Sequence, residues 1–315
     1  MNETWDVIVV GGGAAGLSSA LMLGRARRRV LVVDSGSPRN RFAAHMHGVL
    51  GNDGADPADL LARGRRDVAR YGVEVRDGRV AGVDEADGGL HVALDDGTRL
   101  AARALVVATG MTDLLPDVPG LAERWGKTVL HCPYCHGWEV RDRRLGVLVA
   151  SPVDVHRAQL VRQWSDDVVV FAAGALEPDV AARLRARGVE IVPSGVAEVF
   201  GEKDTITGVR TDDGRVVEVD AIFAGGSPVP HDAFLAPLGL SRSETPMGSF
   251  LEVDRTGRTS NERLWAVGNV VDPAATVPMA AGAGTATGGA VNLALVTEDF
   301  DRAGRAAPGG ALTGS

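Results

Sequence analysis

The sequence predicts an α/β protein of about two domains. Short apolar runs rich in β-branched residues are typical of buried parallel strands, and they recur at residues 6–10, 30–33, 145–150 and 167–171. A glycine-rich turn and a helical stretch separate the first two of these runs. The length of 315 residues suits two domains of ~150 residues, each large enough to bury a core.

The turn after the first strand has a specific glycine spacing. Gly11, Gly13 and Gly16 match the pattern G-x-G-x-x-G, and residues 17–27 then predict a helix with one apolar side. Gly11 permits a tight turn, Gly13 lets the backbone approach a pyrophosphate, and Gly16 allows close packing of the helix on the strand. This arrangement predicts a dinucleotide-binding unit.

The second strand supports the same reading. It ends in Asp34, about 20 residues after the glycines, where an acid accepts hydrogen bonds from a ribose. The motif alone does not distinguish FAD from NAD, so two later segments matter. Residues 105–110 form a strand ending in Ala-Thr-Gly. Residues 264–269 form a strand ending in Gly-Asn, and a helix of small residues follows over 280–292.

The chain contains two cysteines, and they form a pair. Cys132 and Cys135 lie within the sequence His-Cys-Pro-Tyr-Cys-His-Gly, and their C-x-x-C spacing lets a small disulfide ring close and reopen. The alternatives are a zinc half-site or two inert buried thiols. Structural zinc needs four nitrogen or sulfur ligands, and no second cysteine pair or nearby His-x3–5-His run completes a set. The pair therefore predicts redox chemistry and no metal.

Charge and composition exclude several classes of partner. The net charge of −8 and the pI near 5.4 argue against nucleic acid. No uninterrupted apolar run reaches the ~20 residues that span a membrane. The first residues lack a basic region followed by an apolar stretch, so we expect no signal peptide. A redox thiol pair without a structural disulfide framework predicts a cytoplasmic protein.

In the order and spacing of these four motifs, nearly the whole chain resembles the low-molecular-weight thioredoxin reductase family of FAD enzymes. The resemblance implies two Rossmann-like three-layer domains. An FAD domain would comprise residues 1–113 and 243–315, and an inserted domain carrying the C-x-x-C would comprise residues 114–242. The linkers would lie at 114–120 and 241–248. In this family the FAD domains pair, so the resemblance also implies a homodimer.

The resemblance implies FAD contacts at strand ends, turns and helix starts. They are Gly11, Gly13, Ala15 and Gly16 at the pyrophosphate; Asp34 at the adenosine ribose; Arg39, Asn40, Arg41 and His47 along the cofactor; Val80 at the adenine; Thr109 and Gly110 on the flavin side; Gly268 and Asn269 at the ribityl and phosphate; and Thr276 and Val277 near flavin N1 and O2. The family usually has Glu in place of Asp34 and Asp in place of Asn269. Both changes keep the ability to hydrogen-bond.

The inserted domain departs from NADPH-dependent members of the family, which carry a G-x-G-x-x-A turn and a basic run there. Residues 145–150 are followed by Ser151 and Pro152, and the proline lacks a backbone N–H that would serve a phosphate. Asp154 would repel a pyrophosphate, and no arginine follows the strand at 167–171. We expect the fold without NADPH binding; the alternative is a distorted loop that still binds NADPH weakly.

With its His-Cys-Pro-Tyr-Cys-His sequence, the chain looks like the dithiol oxidases that close the disulfide of holomycin-, gliotoxin- or romidepsin-type natural products. The resemblance implies that Cys132 forms a mixed disulfide with a small-molecule dithiol and that Cys135 faces the flavin. O2 is the expected electron acceptor, giving H2O2, because reduced flavin reacts with it. The rivals are a thioredoxin reductase fed by NADPH or ferredoxin, and a redox-regulated binding module with structural FAD.

The remaining candidates surround the thiols. His136 replaces an acidic residue of the family, and an imidazole takes a proton from a thiol near neutral pH. His131 is a second acid–base candidate or a solvent-facing loop residue. His45 and His47 form a further pair, with FAD-contacting or structural roles as alternatives to catalysis. Three aromatic residues bracket the thiols and would line an apolar pocket or pack in the core: Trp125, Tyr134 and Trp138.

Overall fold

The computed structural model describes residues 4–86, 88–174 and 176–306. The chain divides into two compact domains. The first comprises Met1–Arg39, Ala58–Thr112 and Val229–Ser315, and the second comprises Asn40–Pro57 and Asp113–Pro228. Each has a parallel sheet covered on both faces, so the predicted α/β class with two Rossmann-like three-layer domains is confirmed.

The helices and strands follow one another in α/β order. Up to the disulfide they are β1 (Thr4–Val10), α1 (Ala14–Arg25), β2 (Val30–Asp34), α2 (Pro57–Ala69), β3 (Glu74–Asp77), β4 (Val80–Ala86), β5 (Gly89–Leu94), β6 (Arg99–Val107), β7 (Met111–Leu114), β8 (Val129–Leu130) and α3 (Pro133–His136). After it they are β9 (Leu145–Val149), α4 (Pro152–Val161), β10 (Val168–Ala172), α5 (Pro178–Ala186), β11 (Glu190–Val192), β12 (Val196–Phe200), β13 (Gly208–Thr211), β14 (Val216–Glu218), β15 (Ala221–Phe223), β16 (Ser227–Pro230), β17 (Arg242–Thr245), β18 (Gly248–Leu251), β19 (Leu264–Ala266) and α6 (Val277–Ala306).

The sheet of the first domain has the order β3-β2-β1-β6, with β19 pairing in parallel to the end of β6. The strands β4 and β5 extend it as an antiparallel meander on the start of β6. Residues of α1, α2 and α6 cover one face, and the meander with residues from 234 to 253 covers the other. The carboxyl ends of β1 and β6 therefore meet at the edge where the glycine turn begins.

Small residues bring α6 directly onto α1. A Cβ added at Gly284 would lie 2.1 Å from the Ala15 carbonyl oxygen, and one at Gly288 would lie 2.7 Å from the Ser19 carbonyl oxygen. Ser19 Oγ donates to the Gly284 carbonyl at 2.7 Å. In the described part of the chain, α6 is the one helix long and apolar enough to cross a membrane, with a mean hydropathy of 1.2 over an 18-residue window. Its buried residues are Gly284, Thr287, Gly288, Val291 and Leu295, and the two glycines lie against α1.

The second domain repeats this layering. Its parallel sheet has the order β11-β10-β9-β15-β8. The helices α4 and α5 pack on one face, and the antiparallel sheet β12-β13-β14 packs on the other. The chain leaves β9 through α4 toward β10, whereas β15 lies on the opposite side of β9. The carboxyl ends of β9 and β15 thus flank the point where the strand order reverses.

The domain boundaries differ from the expected ones. The chain returns to the first domain at Val229 rather than at residue 243, because Leu235 is buried in the first domain's core. Residues 241–248, expected as a linker, form most of the hairpin of β17 and β18. Asn40–Pro57 groups with the second domain, where Phe42 packs closely on Gly126.

Candidate active site

The turn between β1 and α1 has the geometry of a phosphate cradle. Gly11 has φ +105°, and a Cβ there would lie 2.4 Å from the Ala108 carbonyl oxygen, so only glycine fits. A Cβ at Gly16 would lie 1.9 Å from the Gly11 carbonyl oxygen. At Gly13, the N-cap of α1, a Cβ would meet nothing within 4 Å, and no side chain caps the helix. The start of α1 therefore opens onto free space, which fits the pyrophosphate of FAD.

Asp34 lies at the end of β2, beside an open cleft. The Arg65 guanidinium donates to its Oδ2, and the Gly36 N–H donates to its Oδ1 at 3.3 Å. The cleft has a volume of about 470 Å³ and is lined by Asp34, Asp77 and Arg79 among others. This position suits the predicted ribose contact. The sequence did not predict a role for Arg65. Its partner Asp34 is 31 positions away in the chain, so no local motif links the two residues.

Several other expected FAD residues hold the loops at this edge of the first domain. Thr109 Oγ1 donates to the His231 carbonyl at 2.7 Å, and the His231 N–H donates to the Gly110 carbonyl at 3.0 Å. Asn269 Nδ2 donates to the carbonyls of Asp272 and Ala275, both at 2.9 Å.

The loop before α6 receives one more contact, since Arg39 donates to the Pro273 carbonyl at 2.9 Å. Arg39 and Asn269 thus set the start of α6, where Thr276 and Val277 lie.

The remaining expected FAD residues make other contacts. The Val80 side chain is buried in the core of the first domain. Ala15 packs against Gly268, where a Cβ would lie 3.0 Å from the Ala15 Cβ. Asn40, Arg41 and His47 lie in the segment that groups with the second domain, and the Arg41 guanidinium stacks 4.2 Å over the Phe42 ring.

The two cysteines form a disulfide at the start of α3. Their Cα atoms are 5.3 Å apart, and Cys132 is the N-cap of this short helix, with Pro133 as its first residue. The Cys135 N–H donates to Cys132 Sγ at 3.2 Å. After reduction, the same N–H would stabilise a thiolate on Cys132, which favours that sulfur as the leaving group when a mixed disulfide on it is resolved.

His136 ends α3 immediately after the disulfide. Both ring nitrogens are buried, and neither has a hydrogen-bond partner among the described residues. Burial lowers the pKa of His136 below 6.5, the negative charge of Glu139 opposes this shift, and His47 reinforces it. At neutral pH the imidazole is therefore uncharged and able to accept a proton.

Two other side chains surround His136. His47 Nε2 lies 3.4 Å from Glu139 Oε1, and His47 Nδ1 lies 3.6 Å from Asp53 Oδ1. The sequence assigned no role to Glu139, although its position three residues after His136 is a signal that could have suggested one. The other two histidines that the sequence indicated as candidates make different contacts. His45 Nδ1 contacts the Gly54 carbonyl at 3.1 Å. The His131 ring lies 6.1 Å from the Trp125 ring, between centroids.

The crevice of the second domain is filled by its own side chains. Asp154, in the first turn of α4, accepts hydrogen bonds from the Ala150 N–H at 3.1 Å and from the Ser151 hydroxyl at 2.7 Å. Its other carboxylate oxygen pairs with Arg157, and the two side chains are only 11% and 10% exposed. The carboxylate thus accepts the hydrogen bonds available at the end of β9. In this fold a dinucleotide phosphate would lie at that position.

The other side of the crevice is formed by the end of β15, which lies against the same ion pair. Gly225 follows β15, and a Cβ added there would lie 3.0 Å from both Asp154 Oδ1 and Arg157 Nη1. The ion pair therefore lies across the carboxyl ends of β9 and β15. The sequence indicated Asp154 and Pro152 as obstacles to NADPH. It missed Arg157, which the i, i+3 spacing on a predicted helix could have revealed.

Among the described residues, no group of three or more His, Cys, Asp or Glu side chains is arranged to hold a metal ion.

Comparisons with known proteins match this geometry. The family model for pyridine nucleotide-disulphide oxidoreductases matches residues 5–288. The crystal structure of HlmI is 47% identical, covers 96% of both chains and has a TM-score of 0.91. Thioredoxin reductase sirT of Leptosphaeria maculans is 29% identical over 94% of this chain and 96% of its own.

A more local match is a probable thioredoxin reductase of Arthroderma benhamiae. It is 36% identical over 54% of this chain, which spans only 44% of that protein. The family predicted from the motifs is thus confirmed, and its thioredoxin-reductase-like members use FAD, for which the first domain has a fitting cradle. The chain belongs to the pyridine nucleotide-disulphide oxidoreductase family, as a thioredoxin-reductase-like, FAD-dependent redox enzyme.

Proposed function

We propose that the protein is an FAD-dependent dithiol oxidase that closes a disulfide in a small-molecule dithiol and passes the electrons to O2, giving H2O2. The observation that carries this proposal is the buried pair of Asp154 and Arg157, which fills the crevice where the second domain would take NADPH. Without a nucleotide donor, the thiols of the substrate become the source of electrons. The likeness to HlmI supports the dithiol oxidase branch.

The exchange at the disulfide balances without any further oxidant. A substrate thiolate attacks Cys132 Sγ, the Cys132–Cys135 bond breaks, and a mixed disulfide forms while Cys135 leaves as a thiolate. The second substrate thiolate then attacks the substrate sulfur of the mixed disulfide and releases Cys132. The substrate leaves as a disulfide, and the enzyme holds two reduced cysteines.

This exchange also requires proton transfer. Each substrate thiol loses its proton before it attacks. We assign the acceptor role to His136, which directly follows Cys135, has both ring nitrogens buried and is uncharged at neutral pH. The Cys135 N–H stabilises the charge on Cys132 when that sulfur departs. FAD bound in the first domain would supply the two-electron oxidation of the reduced cysteines and the transfer of those electrons to O2.

Oxygen uptake with a dithiol tests the proposal. The holoenzyme should consume O2 and form H2O2 in a 1:1 ratio with dithiothreitol oxidised, and NADPH under anaerobic conditions should leave the flavin absorbance unchanged. No thiol-dependent oxygen uptake would contradict dithiol oxidation. A flavin that stays oxidised with excess dithiol would instead indicate a redox-regulated binding module.

A second candidate is a thioredoxin reductase, because the relatives sirT and the Arthroderma protein carry that name. Rapid bleaching of the flavin by NADPH, or by reduced ferredoxin, would favour it over the oxidase. The filled crevice of the second domain is the reason that we place the oxidase first.

The same proposal includes a homodimer in the cytoplasm. The small residues of α6 are used within the chain against α1, but Leu293, Val296 and Phe300 stand exposed on one side of the helix. Their spacing makes a continuous apolar strip that a second copy would cover. A mass of one 32.8 kDa chain by light scattering at micromolar concentration would contradict the dimer. The cytoplasmic location rests on the redox use of the cysteines.

A further inference from the structure

The second domain leaves two aromatic side chains open to solvent beside its disulfide. Tyr134 is 74% exposed and Trp138 is 65% exposed, and they are the most exposed aromatic residues that the structure describes in this domain. Tyr134 lies between the two cysteines, and Trp138 follows Cys135 by three residues. Because exposed aromatic surface is costly to leave in water, such a pair next to reactive sulfurs indicates a binding role.

Each of the two rings packs against another side chain of the same domain. The Arg141 guanidinium stacks 4.1 Å over the Trp138 ring and also donates to the Trp138 carbonyl at 2.7 Å. Tyr134 makes an edge contact with Trp164, with ring centroids 5.6 Å apart. Trp164 in turn lies on the backbone of Gly137, where a Cβ would be 2.7 Å from its Cδ2. Rings fixed before binding lose little entropy when a ligand arrives.

We infer that Tyr134 and Trp138 form an aromatic shelf that selects dithiols carrying a flat apolar ring over polar, open-chain dithiols. This inference rests on the proposed dithiol oxidase function and names its substrate class. Tyr134 lies between the two cysteines in the sequence and Trp138 follows them closely, so a ring bound at the shelf would carry its own sulfurs toward Cys132 and Cys135. Trp125, by contrast, is half-buried against His131 and does not belong to the shelf.

The test compares two substrates that close the same six-membered cyclic disulfide. Benzene-1,2-dimethanethiol carries an aromatic ring, and dithiothreitol carries two hydroxyl groups instead. Oxygen uptake of the holoenzyme should give a higher kcat/KM for the aromatic dithiol. Trp138→Ala and Tyr134→Ala should each lower kcat/KM for it about tenfold, the factor expected for losing one aromatic contact, and change dithiothreitol less than about threefold.

A matched control exists in the first domain. Tyr71 is 41% exposed and lies under the Arg25 guanidinium at 5.1 Å, much as Trp138 lies under Arg141. Tyr71→Ala should leave the ratio of the two kcat/KM values unchanged. A second readout is independent of turnover: the cyclic disulfide product of the aromatic dithiol should quench tryptophan fluorescence in the wild type, and Trp138→Phe should remove that quenching.

The outcomes separate the two proposals. Equal loss for both dithiols, or no loss for either, overturns the shelf while oxidation of dithiothreitol upholds the proposed function. If neither dithiol is oxidised but the product still quenches Trp138, the proposed function fails and the shelf stands. If Trp138→Ala slows oxidation of reduced thioredoxin as much as that of the aromatic dithiol, the surface docks a protein and the shelf is overturned.

Discussion

The two domains share one architecture, yet only one of them offers an open crevice. In the first domain, β1 passes into α1 through glycines, and a Cβ at Gly13 would meet no protein atom within 4 Å. In the second domain, β9 passes into α4 through Ser151. There the Asp154 carboxylate accepts hydrogen bonds from the Ala150 N–H and the Ser151 hydroxyl. The first turn of α1 has no acidic residue, whereas that of α4 has one. A single side chain in a helix's first turn can thus replace the phosphate that the fold would otherwise bind.

The two domains also differ beside the strand that neighbours the turn. In the first domain, Gly11 packs against the backbone at Ala108, just after β6. In the second, Gly225 after β15 makes room for Asp154 and Arg157 instead of for a ligand. A glycine at the reversal of strand order therefore does not by itself indicate a nucleotide site. Whether a nucleotide can bind there depends on which side chains lie beside the glycine.

The largest expected effect tests whether electrons enter through the disulfide rather than through the crevice. Cys132→Ser should reduce thiol-dependent oxygen uptake at least about 10³-fold, because no sulfur remains to capture the substrate. FAD content, measured by absorbance after heat release, should stay near that of the wild type. Near-normal dithiol oxidation by this variant would mean that the flavin takes electrons without the disulfide.

A second change would make the first crevice resemble the second. Gly13→Asp places a carboxylate at the open start of α1, where it competes with the pyrophosphate, so FAD affinity should fall at least tenfold, or ~1.4 kcal/mol. Gly13→Ala is the control for steric obstruction of the pyrophosphate without a charge, because a methyl group there meets no protein atom within 4 Å. The measurement is the FAD dissociation constant by fluorescence, with circular dichroism to verify folding. Equal FAD affinity in both variants would refute the role of charge.

The ion pair of the second domain should be a stability element. Asp154→Ala leaves the Arg157 guanidinium buried without its partner, which costs about 3–5 kcal/mol in the free energy of unfolding. The double variant Asp154→Ala/Arg157→Leu removes both charges and should lose less. Urea unfolding monitored by circular dichroism measures both. A single variant as stable as the wild type would show that the pair is solvated and the crevice accessible.

The smallest expected effect concerns the proton acceptor. Because burial lowers the pKa of His136, the acid limb of kcat/KM for dithiol oxidation should have its midpoint below pH 6.5. Glu139 opposes this shift, so Glu139→Gln should lower the pKa further and move the limb to lower pH, by less than about one unit. Activity should thus persist at more acidic pH in this variant. A limb that moves to higher pH would exclude an electrostatic role for Glu139.

Local motifs were readable from the sequence because they depend on neighbouring residues. The spacing of Gly11, Gly13 and Gly16 specifies a backbone turn that few other residues adopt, and the structure has that turn. The C-x-x-C pair brings two sulfurs together within one helical turn, and they form a disulfide. The loss of the glycine turn after β9 was equally visible. Each of these features is set within about ten residues of chain.

Packing between distant segments decided the rest. Arg65 reaches Asp34, His47 lies beside Glu139, and Leu235 joins the first domain's core, and each contact joins positions far apart in the chain. From the sequence, the aromatic residues near the thiols were equally well explained as core residues or as the lining of a pocket. Exposure of Tyr134 and Trp138 depends on which surfaces neighbouring elements cover, a property of the folded chain rather than of any local pattern. The sequence alone therefore determined the fold class, the cofactor unit and the redox pair, while tertiary packing determined which crevice is open and what surrounds the sulfurs.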